Sequence, residues 1–150
     1  MPEDIRFDPI EEVIAEFGKG HFVIIADDES RENEGDLIFA AQFVAPEKIN
    51  FMMKEARGLI CIPLPDDHLF RLGLKDMVTR ADDPMATAFT VSVDARLGIT
   101  TGISAHDRAR TIEILVNPHT KPGDLTTPGH VFPLRAKYGG VLIRAGHTEA

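Results

Sequence analysis

Residues 27–36 carry six carboxylates, and they sit between two short apolar runs at 21–26 and 37–41. Unit charges about 4 Å apart repel by roughly 1 kcal/mol in water and several times more near a protein surface, so such a segment stays at the surface and wants a cation. It must therefore be a connection. The flanking runs, Val23-Ile24-Ile25 and Leu37-Ile38-Phe39, are β-branched and aromatic enough to read as the strands it joins, each buried on both faces.

The rest of the chain alternates helix and strand signals. Asp8-Pro9 pairs an N-cap with a first-turn proline, and Ile10, Val13, Ile14 and Phe17 recur at helical spacing as far as Gly18 and Gly20. Pro46 opens a second helix carrying Ile49, Met52, Met53 and Ala56, and Gly58 ends it. A strand at 59–62 and a short helix at 67–72 follow. Residues 80–84 read as a loop. Phe89, Val91 and Val93 then alternate with Thr90, Ser92 and Asp94, which predicts a strand with one wetter face.

Ser104 and Asp107 resemble a capping box for a helix running through Ile112, Leu115 and Val116, closed by Asn117-Pro118. The prolines and glycines of 117–130 predict a long loop ending at His130, and strands at 131–136 and 141–144 flank a Tyr138-Gly139-Gly140 turn. Together these predict an α+β fold, a layered domain with a mixed β-sheet flanked by helices, with residues 1–150 forming one domain.

Composition narrows the partners. A net charge of -8, from 24 acids against 16 Lys and Arg, repels nucleic acid and anionic lipid surfaces, so neither is expected. The lone cysteine, Cys61, excludes an intrachain disulfide framework and a cysteine zinc site and fits a reducing compartment, the cytoplasm. In a strand it is expected to pack rather than to attack. The amino terminus lacks the basic region of a signal peptide, and no apolar run approaches the roughly 20 residues of a membrane span.

Three constellations carry chemistry. The acidic segment is in the bland case a solvated turn, but flanking strands, an embedded Arg31 and a permissive Gly35 favour a cation, and hard oxygen donors suit Mg²⁺ or Mn²⁺. Its spacing does not fit an EF-hand loop. Arg144-Ala145-Gly146-His147-Thr148-Glu149 follows a predicted strand and is either a plain turn or a place where N–H groups, a hydroxyl and a guanidinium converge on an anion such as phosphate. His130, held by Pro128-Gly129, is either structural or an acid/base group. His21 and His106 read as surface groups. Dinucleotide, P-loop and nucleophile-elbow motifs are absent from the sequence.

The acidic run from Asp27 to Asp36, Gly102-Ile103-Ser104-Ala105 with Asp107-Arg108, Pro128-Gly129-His130-Val131-Phe132-Pro133-Leu134-Arg135 and Gly146-His147-Thr148-Glu149-Ala150 resemble, in order and spacing, the signatures of 3,4-dihydroxy-2-butanone 4-phosphate synthase. The resemblance implies a homodimeric α+β enzyme that converts D-ribulose 5-phosphate into L-3,4-dihydroxy-2-butanone 4-phosphate and formate with Mg²⁺ or Mn²⁺, two ions per site. It implies Glu32 and His147 as metal ligands. Arg31, Glu32, Asp36, Arg144, Ala145, Gly146, His147 and Thr148 become substrate-binding positions, and His130, Glu32 and Asp36 catalytic ones. Members of the family continue past the Gly-His-Thr-Glu-Ala motif, so the chain is expected to be a shortened form, and some members are fused to GTP cyclohydrolase II. A noncatalytic metal- and phosphosugar-binding fragment, or a Mg²⁺-dependent phosphosugar isomerase, are the competing expectations.

Overall fold

The structure is a computed structural model that describes residues 6–80, 82 and 87–150. Most of the loop expected at 80–84 lies outside the described residues.

The first helix, α1 (Ile10–Gly18), forms where the apolar spacing predicts it, but Ile10 and Ile14 are exposed and the helix buries no residue. It leads into β1 (Val23–Ala26), which pairs antiparallel with β2 (Gly35–Ile38). The expectation of strands buried on both faces is corrected here: this hairpin forms a two-stranded sheet of its own, and Ile24 is 71% exposed.

Pro46 opens α2 (Pro46–Phe51), which widens into a π-helical turn, Met52–Ala56. Arg57, in the left-handed conformation at φ 60, ends it one residue before the expected Gly58. Ile49 is fully buried against α4 (Ala105–Val116), whose inner face carries Ala109, Ile112 and Leu115. Burying each of these larger aliphatic side chains stabilises the fold by about 1.5–3 kcal/mol.

The second sheet is mixed. Its middle strand, β5 (Leu125–Arg135), runs parallel to β3 (Cys61–Leu64) and antiparallel to β4 (Val93–Ala95), and α3 (Asp66–Arg71) follows β3. Ile62, Leu64, Val93 and Val131 pack from this sheet onto α2 and α4, which gives the layered α+β arrangement.

Three local expectations fail. Residues 117–130 are not one long loop: a 3-10 turn (Pro122–Asp124) is followed by β5, because Leu125 and Thr126 find ladder partners in Ala95 and Asp94. The strand expected at 141–144 is replaced by a 3-10 turn (Gly140–Leu142) entered through Gly139. The wetter face of Thr90, Ser92 and Asp94 is buried, at 0, 8 and 6% exposure, because hydrogen bonds within the sheet satisfy its polar groups.

Candidate functional site

The hairpin of β1 and β2 presents the acidic segment as its loop, with Ala26 opposite Gly35 and Ile25 opposite Asp36. The loop is folded by its own first carboxylate. Asp27 Oδ2 accepts from Arg31 Nη1 at 2.8 Å and from the Glu32 N–H at 3.0 Å, while Oδ1 accepts from the Glu34 N–H at 3.0 Å. Asp28 accepts from the Ser30 N–H at 2.8 Å. The Glu34 N–H above all, then the Glu32 N–H and Arg31, hold the Asp27 carboxyl down at about 2 against the desolvation that opposes them. Two of the six carboxylates are thus occupied in shaping the turn. Arg31 Nη2 lies 2.8 Å from Glu32 Oε1, so the same guanidinium that braces Asp27 also orients Glu32.

His147 meets this loop from the chain's final turns. Its side chain is 12% exposed, with Nδ1 3.3 Å from Asp36 Oδ2 and 4.0 Å from Glu32 Oε2, and with Nε2 3.8 Å from Asp27 Oδ1. Nε2 is buried without a hydrogen-bond partner among the described residues. Buried polar atoms are seldom left unpaired, so an orphaned imidazole nitrogen beside the Asp27 carboxylate fits a cation. Two donors on one small ion, each bonded at about 2.1 Å, stand about 3–4 Å apart, the spacing that the other ring nitrogen, Nδ1, keeps from Asp36 and Glu32. Among the described residues no group of three His, Cys, Asp or Glu side chains closes around an ion position.

A cleft of about 410 Å³ brings Arg31, Glu32 and Asp36 together with Arg144, His147 and Thr148, and Cys61 and Thr87 line it too. Ala145 and Gly146 lie on the same turn but outside the lining. Beneath, an apolar cavity of about 240 Å³ shares Cys61, His147 and Thr148. Burial first, and Asp36 second, push the Cys61 thiol up to about 11, which leaves it protonated and supports packing as its role.

The anion end differs from expectation. No strand precedes it and no helix opens: the Gly146 N–H donates to the Arg144 carbonyl at 2.9 Å, and those of Glu149 and Ala150 to the Gly146 carbonyl at 3.1 Å. Three N–H groups are therefore used inside the turn. Arg144 Nη1 donates to Glu149 Oε2 at 2.6 Å, and this carboxylate, 1% exposed, also accepts from the Lys137 N–H at 3.0 Å. The guanidinium that lines the cleft is anchored from behind.

His130 is placed elsewhere. It is not among the residues lining the cleft; it sits on β5 against Asp94, with Nδ1 2.7 Å from Asp94 Oδ2 and its own N–H donating to Oδ1 at 2.9 Å. Asp94 was missed as a functional candidate, because on the polar face of an alternating strand it reads as a solvated group. Nor does the capping box close: Ser104 accepts from the Asp107 N–H at 3.0 Å, but the Asp107 carboxylate turns to the Thr100 hydroxyl at 2.7 Å and to the N–H groups of Thr100 and Gly102. The Thr100 hydroxyl foremost, with those N–H groups, holds Asp107 at about 2.

The family model described as 3,4-dihydroxy-2-butanone 4-phosphate synthase matches residues 11–150. Riboflavin biosynthesis protein RibBA of Synechocystis sp. is 60% identical over 146 residues, covering 96% of this chain and 26% of that protein. The 3,4-dihydroxy-2-butanone 4-phosphate synthase of Pseudomonas syringae pv. tomato is 57% identical over 146 residues, covering 97% and 40%. Among solved structures, a 3,4-dihydroxy-2-butanone 4-phosphate synthase in complex with two magnesium ions superposes with a TM-score of 0.93 at 53% identity, over 95% of this chain and 67% of that one. A cation-free form gives 0.88 at 50% identity. The chain spans well under half the length of these two curated relatives.

Proposed function

This chain belongs to the 3,4-dihydroxy-2-butanone 4-phosphate synthase family, and from that membership we propose that it is a lyase of riboflavin biosynthesis, converting D-ribulose 5-phosphate into L-3,4-dihydroxy-2-butanone 4-phosphate and formate. The observation that carries the proposal is the meeting of Arg31, Glu32 and Asp36 with Arg144, His147 and Thr148 on one cleft. A phosphorylated ketose needs those parts: a cationic end for phosphate, and carboxylates and an imidazole around its oxygens.

Glu32 and His147 would hold Mg²⁺ or Mn²⁺, two ions per site, and the bound metal supplies Lewis acidity towards the ketone. Arg31 keeps Glu32 oriented. Arg144 and Thr148, which line the cleft, orient the phosphate, whereas Ala145 and Gly146 only shape the turn that carries them. Asp36, its side chain 53% exposed beside His147, takes the proton from C3. Water leaves from C1, a skeletal shift joins C3 to C5, and rehydration expels C4 as formate. The water lost and the water regained cancel, so the five-carbon phosphate divides into the four-carbon phosphate and formic acid.

His130 is the second acid/base group in this reading. The family resemblance implies a homodimer, and His130, outside the lining of its own cleft with a side chain 40% exposed, would then serve the facing copy. Mixing Glu32→Gln with His130→Gln protein should then recover turnover that neither has alone, and no recovery would refute the shared site. The 26% coverage of RibBA leaves room in a parent of that kind for GTP cyclohydrolase II, and we place the protein in the cytoplasm. No helix among the described residues is long and apolar enough to cross a membrane.

Formate release decides the main proposal. Protein with ribulose 5-phosphate and Mg²⁺ should liberate one formate per methyl ketone, and a chelator should stop it. Sugar binding without formate would leave a noncatalytic binding fragment, and pentose phosphate isomerised with all carbons retained would make it an isomerase.

A further inference from the structure

The polar cluster behind His130 has no part in the cleft and is built with unusual care. Between Val93 and Asp94 the β4–β5 register jumps: Val93 faces Val131, yet Asp94 faces Thr126. The intervening segment of β5 bows out and delivers His130 back onto Asp94. Gly129 permits this, since its N–H donates to Ser92 Oγ at 3.1 Å and a Cβ there would collide with the Val93 backbone.

Asp94 is 6% exposed and grips one residue twice, through the His130 N–H and through the ring. Arg108, buried on α4, lies close enough for its charge to interact with that of Asp94. An ionised carboxylate only accepts, so the nitrogen facing it must carry the ring proton, leaving Nε2 of the neutral imidazole as the open acceptor.

We propose that Asp94 is a positioning residue for His130: by holding the backbone and Nδ1–H together it fixes the ring's rotamer and tautomer so that Nε2 is the proton-accepting face. This rests on the reading of His130 as an acid/base group. Asp94 touches neither substrate nor metal in this scheme and acts through the ring alone.

Histidine ring ¹H–¹⁵N spectra of the full chain, with the His130 signals identified by their loss in His130→Gln, test it without reference to turnover. The wild-type ring should be protonated on Nδ1. Asp94→Asn keeps an acceptor for the His130 N–H but offers an amide donor to Nδ1, so the proton should move to Nε2 while circular dichroism stays native. In formate assays kcat should fall by about 10²–10⁴-fold, the range of a lost or mis-set general base, with KM changed only a few-fold. A wild-type ring protonated on Nε2, or a tautomer unmoved in Asp94→Asn, overturns the proposal. Wild-type turnover by His130→Gln refutes the acid/base reading beneath it, and the ring spectra keep that failure separate.

Discussion

Gly102 sits against the Asp94–His130 pair with φ 94, and a Cβ built there would fall on the Asp94 carboxylate and the His130 ring. Gly98 has a similar φ of 81, but its Cβ would meet only the Arg110 side chain, nearest at 3.3 Å. The two alanine substitutions therefore share the left-handed backbone cost, about 1–2 kcal/mol, and differ in what the methyl displaces. In Gly102→Ala the charge-assisted bond between Asp94 and His130 must open, adding about 1.5–3 kcal/mol. For a chain of this size the added destabilisation lowers the melting midpoint by about 3–12 °C relative to Gly98→Ala. Thermal melts followed by circular dichroism give the stability difference, and formate release should fall in Gly102→Ala while Gly98→Ala retains it. Equal melting midpoints for the two variants, together with an unchanged His130 ring spectrum, would refute the packing argument.

Glu32→Gln should abolish metal-dependent formate release and weaken Mn²⁺ binding, measured by paramagnetic resonance, while leaving the melt unchanged; wild-type turnover would remove Glu32 from the site. Asp27, lowered from 3.8 to about 2, contributes to loop stability in full above about pH 4, and that contribution is lost as pH falls through about 2. The Glu32 and Glu34 amide signals should accordingly stay native down to about pH 4 in an acid titration, and a loop that melts near pH 6 would contradict this. Cys61, pushed up to about 11, should react with iodoacetamide far more slowly in the native than in the unfolded chain, and Cys61→Ala should retain turnover.

The acidic loop stands out in the sequence because six carboxylates in ten residues are improbable, while the Gly-His-Thr motif and His130 are singled out by the resemblance of four ordered motifs to the family. Ser104 and Pro46 likewise mark helix starts, since caps and first-turn prolines act through neighbours one turn away. At β5 and on the face of Ser92 and Asp94, prediction failed because the missing partner was distant in the chain. Nothing near residue 125 announces a strand, because its ladder is supplied by β4, some thirty positions earlier. Ser92 and Asp94 look wet because their polarity is visible, whereas the N–H groups of Gly129 and His130 that satisfy them are not.

The one-dimensional pattern determined the local elements, the surface position of the anionic hairpin and the inventory of chemical groups, all of which depend on charge repulsion, backbone preference and periodicity within a few residues. The tertiary structure alone decided which groups meet: that Glu32 and Asp36 face His147, and that His130 pairs with Asp94 outside the cleft. Those contacts close across more than a hundred residues for the first and 36 for the last. Such distant segments meet only in the folded chain, because burial is a property of the whole chain and not of any window along it.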